Sequence, residues 1–133
     1  MSFIIENIIA TDSTLKLIAA SGAEVRIELE GDCCSSSFFD DHSKLDVRDL
    51  LGHRLMDVAD AGRDAPDPDP IPHRDESQEY HALHIKTDHA SITVDWRNES
   101  NGYYGGTARI WYEDEEVDRY SRNRSLAERL AAP

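Results

Sequence analysis

Short apolar runs punctuated by single polar residues and glycines dominate the first third of the chain. "FIIENIIA", residues 3–10, is apolar and β-branched, and "STLKLIAA" follows the turn-like "TD". After "SG", the run "AEVRIELEG" alternates with period two. Val25, Ile27 and Leu29 point to one face, and Glu24, Arg26, Glu28 and Glu30 to the other. Two such runs joined at Ser-Gly predict a β-hairpin.

Beyond "GDCCSSSFFD", the segment "SKLDVRDLLG" predicts a short helix. Leu45, Leu50 and Leu51 turn inward, Asp46, Arg48 and Asp49 outward, and Gly52 stops it. "HRLMDVADA" reads as a strand of imperfect alternation. "YHALHIKT", "SITVDWRN" and "TARIWYE" are three further strands, with Ile92, Val94 and Trp96 on one face. The glycine-rich loop "ESNGYYGG" separates the last two, so this part reads as a meander. In "SLAERLAA", Ser125 is placed to cap one or two helical turns, with Glu128 in the capping-box position. The expected fold is α+β and mainly β. It has about six antiparallel strands in a meander sheet or small open barrel, with one or two short helices.

Composition changes this picture at two places. Residues 62–78, "GRDAPDPDPIPHRDESQ", hold four of the five prolines in an acidic stretch poor in apolar residues. Proline removes amide donors and restricts its neighbours, so the stretch reads as an exposed, disordered loop inserted between two strands. The last twenty residues, 114–133, switch from acidic to basic and read as a charged tail after a single β-rich domain over 1–113. With 133 residues the chain can bury a core without staples.

The formal net charge is -13. Such a chain repels phosphate backbones and anionic membrane surfaces, which argues against direct nucleic-acid or membrane binding. It fits either plain solubility or an acidic face for a basic partner. The start of the chain lacks a basic region and is interrupted by Glu6 and Asn7, unlike a signal peptide. The two cysteines are neighbours, which fits a disulfide badly. A reducing cytoplasm is the expected setting.

Candidate chemistry concentrates in two stretches. In "GDCCSSSFF" the sequence neighbour of Cys33 and Cys34 is Asp32, whose sign opposes a thiolate. On a strand the two cysteines face opposite ways, so one packed cysteine beside Ser35 and Ser36 is favoured over a nucleophile. No metal site is expected. His81 and His84 fall on opposite faces of a strand, and vicinal cysteines lack zinc-knuckle spacing. The acidic loop matches no calcium-loop spacing. "NESNGYYGG", residues 98–106, presents Tyr103 and Tyr104 between glycines, either as a contact loop or as a cap on the sheet. It lacks the lysine and following helix of a phosphate-binding loop. No cofactor is expected.

These two stretches, each following a strand, together resemble a family of small uncharacterised proteins and domains of bacteria and their phages. In that family a Gly-Asp-Cys-Cys-Ser stretch comes early and an Asn-Gly-Tyr-Tyr-Gly-Gly stretch comes late. The resemblance covers roughly residues 20–112. It implies a shared fold and a phage or prophage setting, not a reaction. It further implies that Asp32, Cys33, Cys34, Ser35, Asn98, Asn101, Gly102, Tyr103, Tyr104, Gly105 and Gly106 belong to one local construction. Asp32 or Ser35 is expected to hydrogen-bond the backbone of the tyrosine loop.

The function expected is that of a small acidic accessory protein of phage type, not an enzyme. It would bind a host protein, with a basic nucleic-acid-handling defence factor as the natural target. The alternative is a small-ligand binder in which Tyr103 and Tyr104 stack beside residues 32–36, with Arg97 and Arg109 offsetting the charge. A cysteine-dependent enzyme is the least supported reading.

Overall fold

A computed structural model describes residues 2–31, 35–39, 46–63, 76–101, 106–117 and 126–131, with backbone alone at 35, 61–63, 76–80, 100 and 101. The described chain is mainly β, as expected. Nine strands run in order: β1 (Ile5–Ala10), β2 (Thr14–Ala19), β3 (Glu24–Gly31), β4 (Ser35–Phe39), β5 (Leu55–Arg63), β6 (Glu76–Thr87), β7 (Ser91–Asn101), β8 (Gly106–Tyr112) and β9 (Glu115–Val117). One helix, α1 (Leu126–Ala131), follows. The strands form two antiparallel sheets, ordered β1-β2-β3-β8-β9 and β4-β7-β6-β5. Neither closes into a barrel. No helix among the described residues is long and apolar enough to cross a membrane.

Period-two alternation places the core where it is expected. Leu15, Leu17 and Ala19 of β2 and Val25, Ile27 and Leu29 of β3 are buried. Opposite them stand Leu83 and Ile85 of β6, Val94 and Trp96 of β7, and Phe39 of β4, all in one cluster. Trp96 is fully buried, and His81, its cross-strand partner, stacks on it at 4.1 Å between centroids. His84 is exposed on the other face.

Several expectations need correction. β5 buries Leu55 and Val58, three apart, because a register shift between Leu55 and Asp57 breaks its alternation; a second shift falls between Asp60 and Gly62. Among the described residues of "SKLDVRDLLG" a 3-10 turn spans Val47–Asp49, with Asp46 accepting from the Arg48 amide at 3.0 Å. Leu50 is buried but Leu51 is exposed, and the expectation for Leu45 lies outside the described residues. Gly52 does end the turn, at φ +81°, a conformation that disfavours a side chain. The inserted segment is shorter than 62–78, because β5 extends to Arg63 and β6 begins at Glu76; the rest of it, 64–75, lies outside the described residues.

The largest difference is topological. β6 and β7 pair as a hairpin, but β8 does not continue the meander: it leaves β7 and pairs with β3. β4 pairs with β7 in the other sheet. At the opposite side the sheet edges also meet. An isolated bridge joins Ile4 to Arg54, the Ile5 amide donates to the His53 carbonyl at 3.0 Å, and the Leu55 amide donates to the Phe3 carbonyl at 2.8 Å.

Within residues 114–133, β9 pairs with β8, and Leu126 and Leu130 of α1 are buried in the main cluster. The expected Ser125 cap lies outside the described residues.

One continuous core predicts one cooperative transition. Leu17→Ala in the first sheet and Trp96→Ala in the second are each expected to cost about 3 kcal/mol or more. In urea, both variants should lower the midpoint of a single transition seen alike by tryptophan fluorescence and far-ultraviolet circular dichroism. Two separate transitions would mean that the sheets unfold independently.

Candidate functional site

β3 runs beside β8 as far as the pair Gly31↔Gly106, and β4 runs beside β7 as far as Ser35↔Ser100. The connections 32–34 and 102–105 therefore leave one sheet and enter the other between the same two strand pairs. The ends of the two sequence motifs are brought together in this way. Asp32, Cys33, Cys34, Gly102, Tyr103, Tyr104 and Gly105 lie outside the described residues, as does the hydrogen bond expected from Asp32 or Ser35 to the tyrosine loop. Ser35 and Asn101 are placed by their backbones in β4 and β7.

The polar knot at this corner is built from other residues. In β4, Ser37 and Phe39 are buried while Ser36 is exposed. Ser37 stands opposite Asn98 of β7. The Asn98 amide nitrogen donates to the Ser37 hydroxyl at 2.9 Å, and that hydroxyl donates to the Glu30 carbonyl of β3 at 3.0 Å. Asn98 is 1 % exposed. The two bonds thus tie β7 to β4 and β4 to β3, across the two sheets. Buried polar groups must be hydrogen-bonded, so this arrangement tolerates little slippage. Gly106 of β8 packs against the same pair. A Cβ there would collide with the Ser37 hydroxyl and lie 2.8 Å from the Asn98 amide nitrogen. Glycine is required at this position by close approach, not by its backbone angles.

The loop expected over 98–106 is accordingly shorter, since β7 extends to Asn101 and β8 begins at Gly106. Asn98 is a buried strand residue. Ser37 escaped notice among three serines, although its two-residue spacing from Phe39 marks it as inward-facing.

The arginines expected to offset a ligand's charge are placed elsewhere. Arg97 is the neighbour of Asn98 on β7 and so belongs to the opposite face of that strand. Arg109 is engaged on the first sheet's outer face. It binds Glu116 through two nitrogens, at 2.8 and 2.6 Å, and Glu30 at 3.1 Å. Arg26 and Arg109 each approach the Trp111 ring, at 5.2 and 5.1 Å from its centroid. The Arg109 hydrogen bonds hold the Glu116 carboxyl below the ordinary glutamate range, and Glu116 and Glu30 together raise the Arg109 guanidinium. Among the described residues no group of three or more His, Cys, Asp or Glu gathers in a way that could hold a metal ion.

Residues 3–110 match the family described as Domain of unknown function (DUF7448). The chain belongs to that family. The match begins earlier than the resemblance over 20–112 and takes in β1 and β2. The crossing corner lies inside the DUF7448 region, whereas β9 and α1 lie beyond it. No curated protein and no solved structure matches the chain.

Two predictions follow from this geometry. Gly106→Ala is expected to destabilise the fold by about 1–3 kcal/mol through overpacking. Ser37→Ala, which strips Asn98 of its acceptor, is expected to cost about 1–3 kcal/mol. Because the serine hydroxyl is itself the clashing group, the double variant should cost less than the sum, as read from urea midpoints; strict additivity would disprove the contact.

The second concerns acid. Glu116 has its folded carboxyl lowered, so its stabilisation is present above the ordinary value of 4.5 and is lost as pH falls through the folded value. Arg109→Gln should therefore flatten the decline of melting temperature on acidification below that value. An unchanged acid limb would show that the ion pair carries no proton linkage.

Proposed function

We propose that this DUF7448 protein is a non-enzymatic accessory factor of phage type whose acidic surface docks on a basic host protein in the cytoplasm. A nucleic-acid-handling defence factor is the target class that its charge favours. The observation that carries the reading is how the charges are distributed. Among the described residues four arginines are engaged with the chain's own acids: Arg26 with Glu28, Arg48 with Asp46, Arg109 with Glu30 and Glu116, and Arg129 with Glu115. By contrast, the exposed side chains of Glu6, Asp12, Asp95, Glu113 and Asp114 make no ion pair or hydrogen bond among the described residues. The formal net charge of the chain is -13, and among the described residues these five exposed carboxylates have no cation paired to them. Such a surface raises the rate of encounter with a basic partner and repels nucleic acid itself.

The small-ligand reading rests on the convergence of the two motif ends at one corner, Gly31↔Gly106 and Ser35↔Ser100. It is the weaker of the two, because Arg109 is bound to its own glutamates.

Capture from a bacterial lysate at low ionic strength tests the proposal. A basic protein retained in stoichiometric amount and released by high salt is expected. The triple variant Asp95→Lys, Glu113→Lys, Asp114→Lys should lose it. Retention of the same protein by the triple variant, with an unchanged salt profile, would overturn electrostatic docking. A released small compound with no protein would favour the ligand reading.

A further inference from the structure

The DUF7448 match ends at residue 110, yet the core does not. Leu126 and Leu130, 2 % and 6 % exposed, complete the apolar cluster from α1, sixteen or more residues beyond that point. α1 packs on β5, whose Leu55 and Val58 belong to the same cluster. The helix is six residues long, far too short to be helical alone in water. Among the described residues it is held by two leucines four apart and by the ion pair of Arg129 with Glu115 of β9 at 2.7 Å, and Glu128 is engaged as well. By contrast, β6 and β7 pair along eleven registered positions, from Glu76↔Asn101 to Lys86↔Ser91.

We propose that α1 is a strap seated in a helix-binding groove along β5, and that it opens while both sheets stay folded. The groove is then a docking site for a partner's amphipathic helix, occupied in the resting protein by the chain's own segment. The pattern it accepts is read from α1: two leucines at i and i+4, which share one helix face, with a cationic residue just before the second. Glu115, fixed at the end of the first sheet, selects for that cation. A partner helix competes with α1, so its apparent affinity is reduced by the fraction of time that the strap is closed. This holds whether or not the acidic surface recruits the partner.

Native-state hydrogen exchange on the full chain tests the strap directly. The amides of Leu130 and Ala131 are expected to show protection at least about tenfold below those of Ile85 and Val94, with little dependence on denaturant, the mark of local opening. Exchange of α1 only through global unfolding would overturn the proposal. The groove is tested with a synthetic peptide of residues 118–133 and the variant Leu126→Asp, Leu130→Asp. This variant should keep a cooperative melt and bind the peptide, while the wild-type chain binds it at least about tenfold more weakly. Arg129→Glu in the peptide should weaken that binding. Loss of cooperative folding in the variant would mean that α1 is part of the indivisible core, and a folded variant that ignores the peptide would mean that there is no groove; either result overturns the proposal.

Discussion

The passage of two neighbouring strand pairs from one sheet to the other is the constraint on which the rest of the structure depends. β3 and β8 reach their last pair at Gly31↔Gly106, and their continuations β4 and β7 begin at Ser35↔Ser100. At Gly106, β8 comes close over β4 and β7, against Ser37 and Asn98. A side chain on residue 106 would prevent that approach. The Asn98–Ser37–Glu30 chain of hydrogen bonds then fixes which residue of β4 faces the interior. A slip by one residue would turn Ser37 and Phe39 outward and bring Ser36 and Phe38 in. The polar knot thus sets the register that delivers Phe39 to the core beside Trp96, its partner across the ladder.

Local patterning made the hairpins legible and non-local pairing hid the rest. β2 and β3 alternate cleanly, so Val25, Ile27 and Leu29 could be assigned to the core from the sequence alone. β5 could not be read so well, because the register shift between Leu55 and Asp57 lets Leu55 and Val58 share an interior that strict alternation denies them. The partner of β8 was illegible for a different reason. A glycine-rich loop after a strand usually signals a hairpin, and nothing in "NGYYGG" says that the next strand will seek β3, some eighty residues earlier in the chain, instead of β7. The same holds for the site. Asn and Ser in "RNES" carry turn-like composition, and only the partner at Ser37, 61 residues away, makes Asn98 a buried strand residue. The spacing of Ser37 from Phe39 marks it as inward-facing, but nothing in the sequence pairs it with Asn98 or with the Glu30 carbonyl.

Charge is organised by the same architecture. The outer face of the first sheet is a ladder in which Arg26 stands opposite Trp111, and Glu28 opposite Arg109. Cross-strand pairs of opposite charge and of cation with aromatic ring suit that geometry, and they draw the cations into the sheet's own surface. With Arg26 and Arg109 committed in this way and a formal net charge of -13, the chain's carboxylates dominate the field around it. That field acts on the encounter with a partner more than on the stability of the complex. A short-range contact is still needed to hold what the field attracts.

The C-terminal helix meets that need on structural grounds. Its leucines contribute to a core whose other members come from the DUF7448 region or from β8 and β9 beside it. A six-residue helix loses little by detaching, since its hydrogen bonds to itself are few and its ends are readily solvated. What it gives up includes the burial of Leu126 and Leu130 and the ion pair of Arg129 with Glu115, which an incoming helix of the same pattern restores. The sheets, in contrast, are held by continuous ladders, and a slip at the crossing corner would cost the register of β4. Exchange of α1 for a helix of the same pattern leaves both strand orders intact, because α1 is a member of neither sheet.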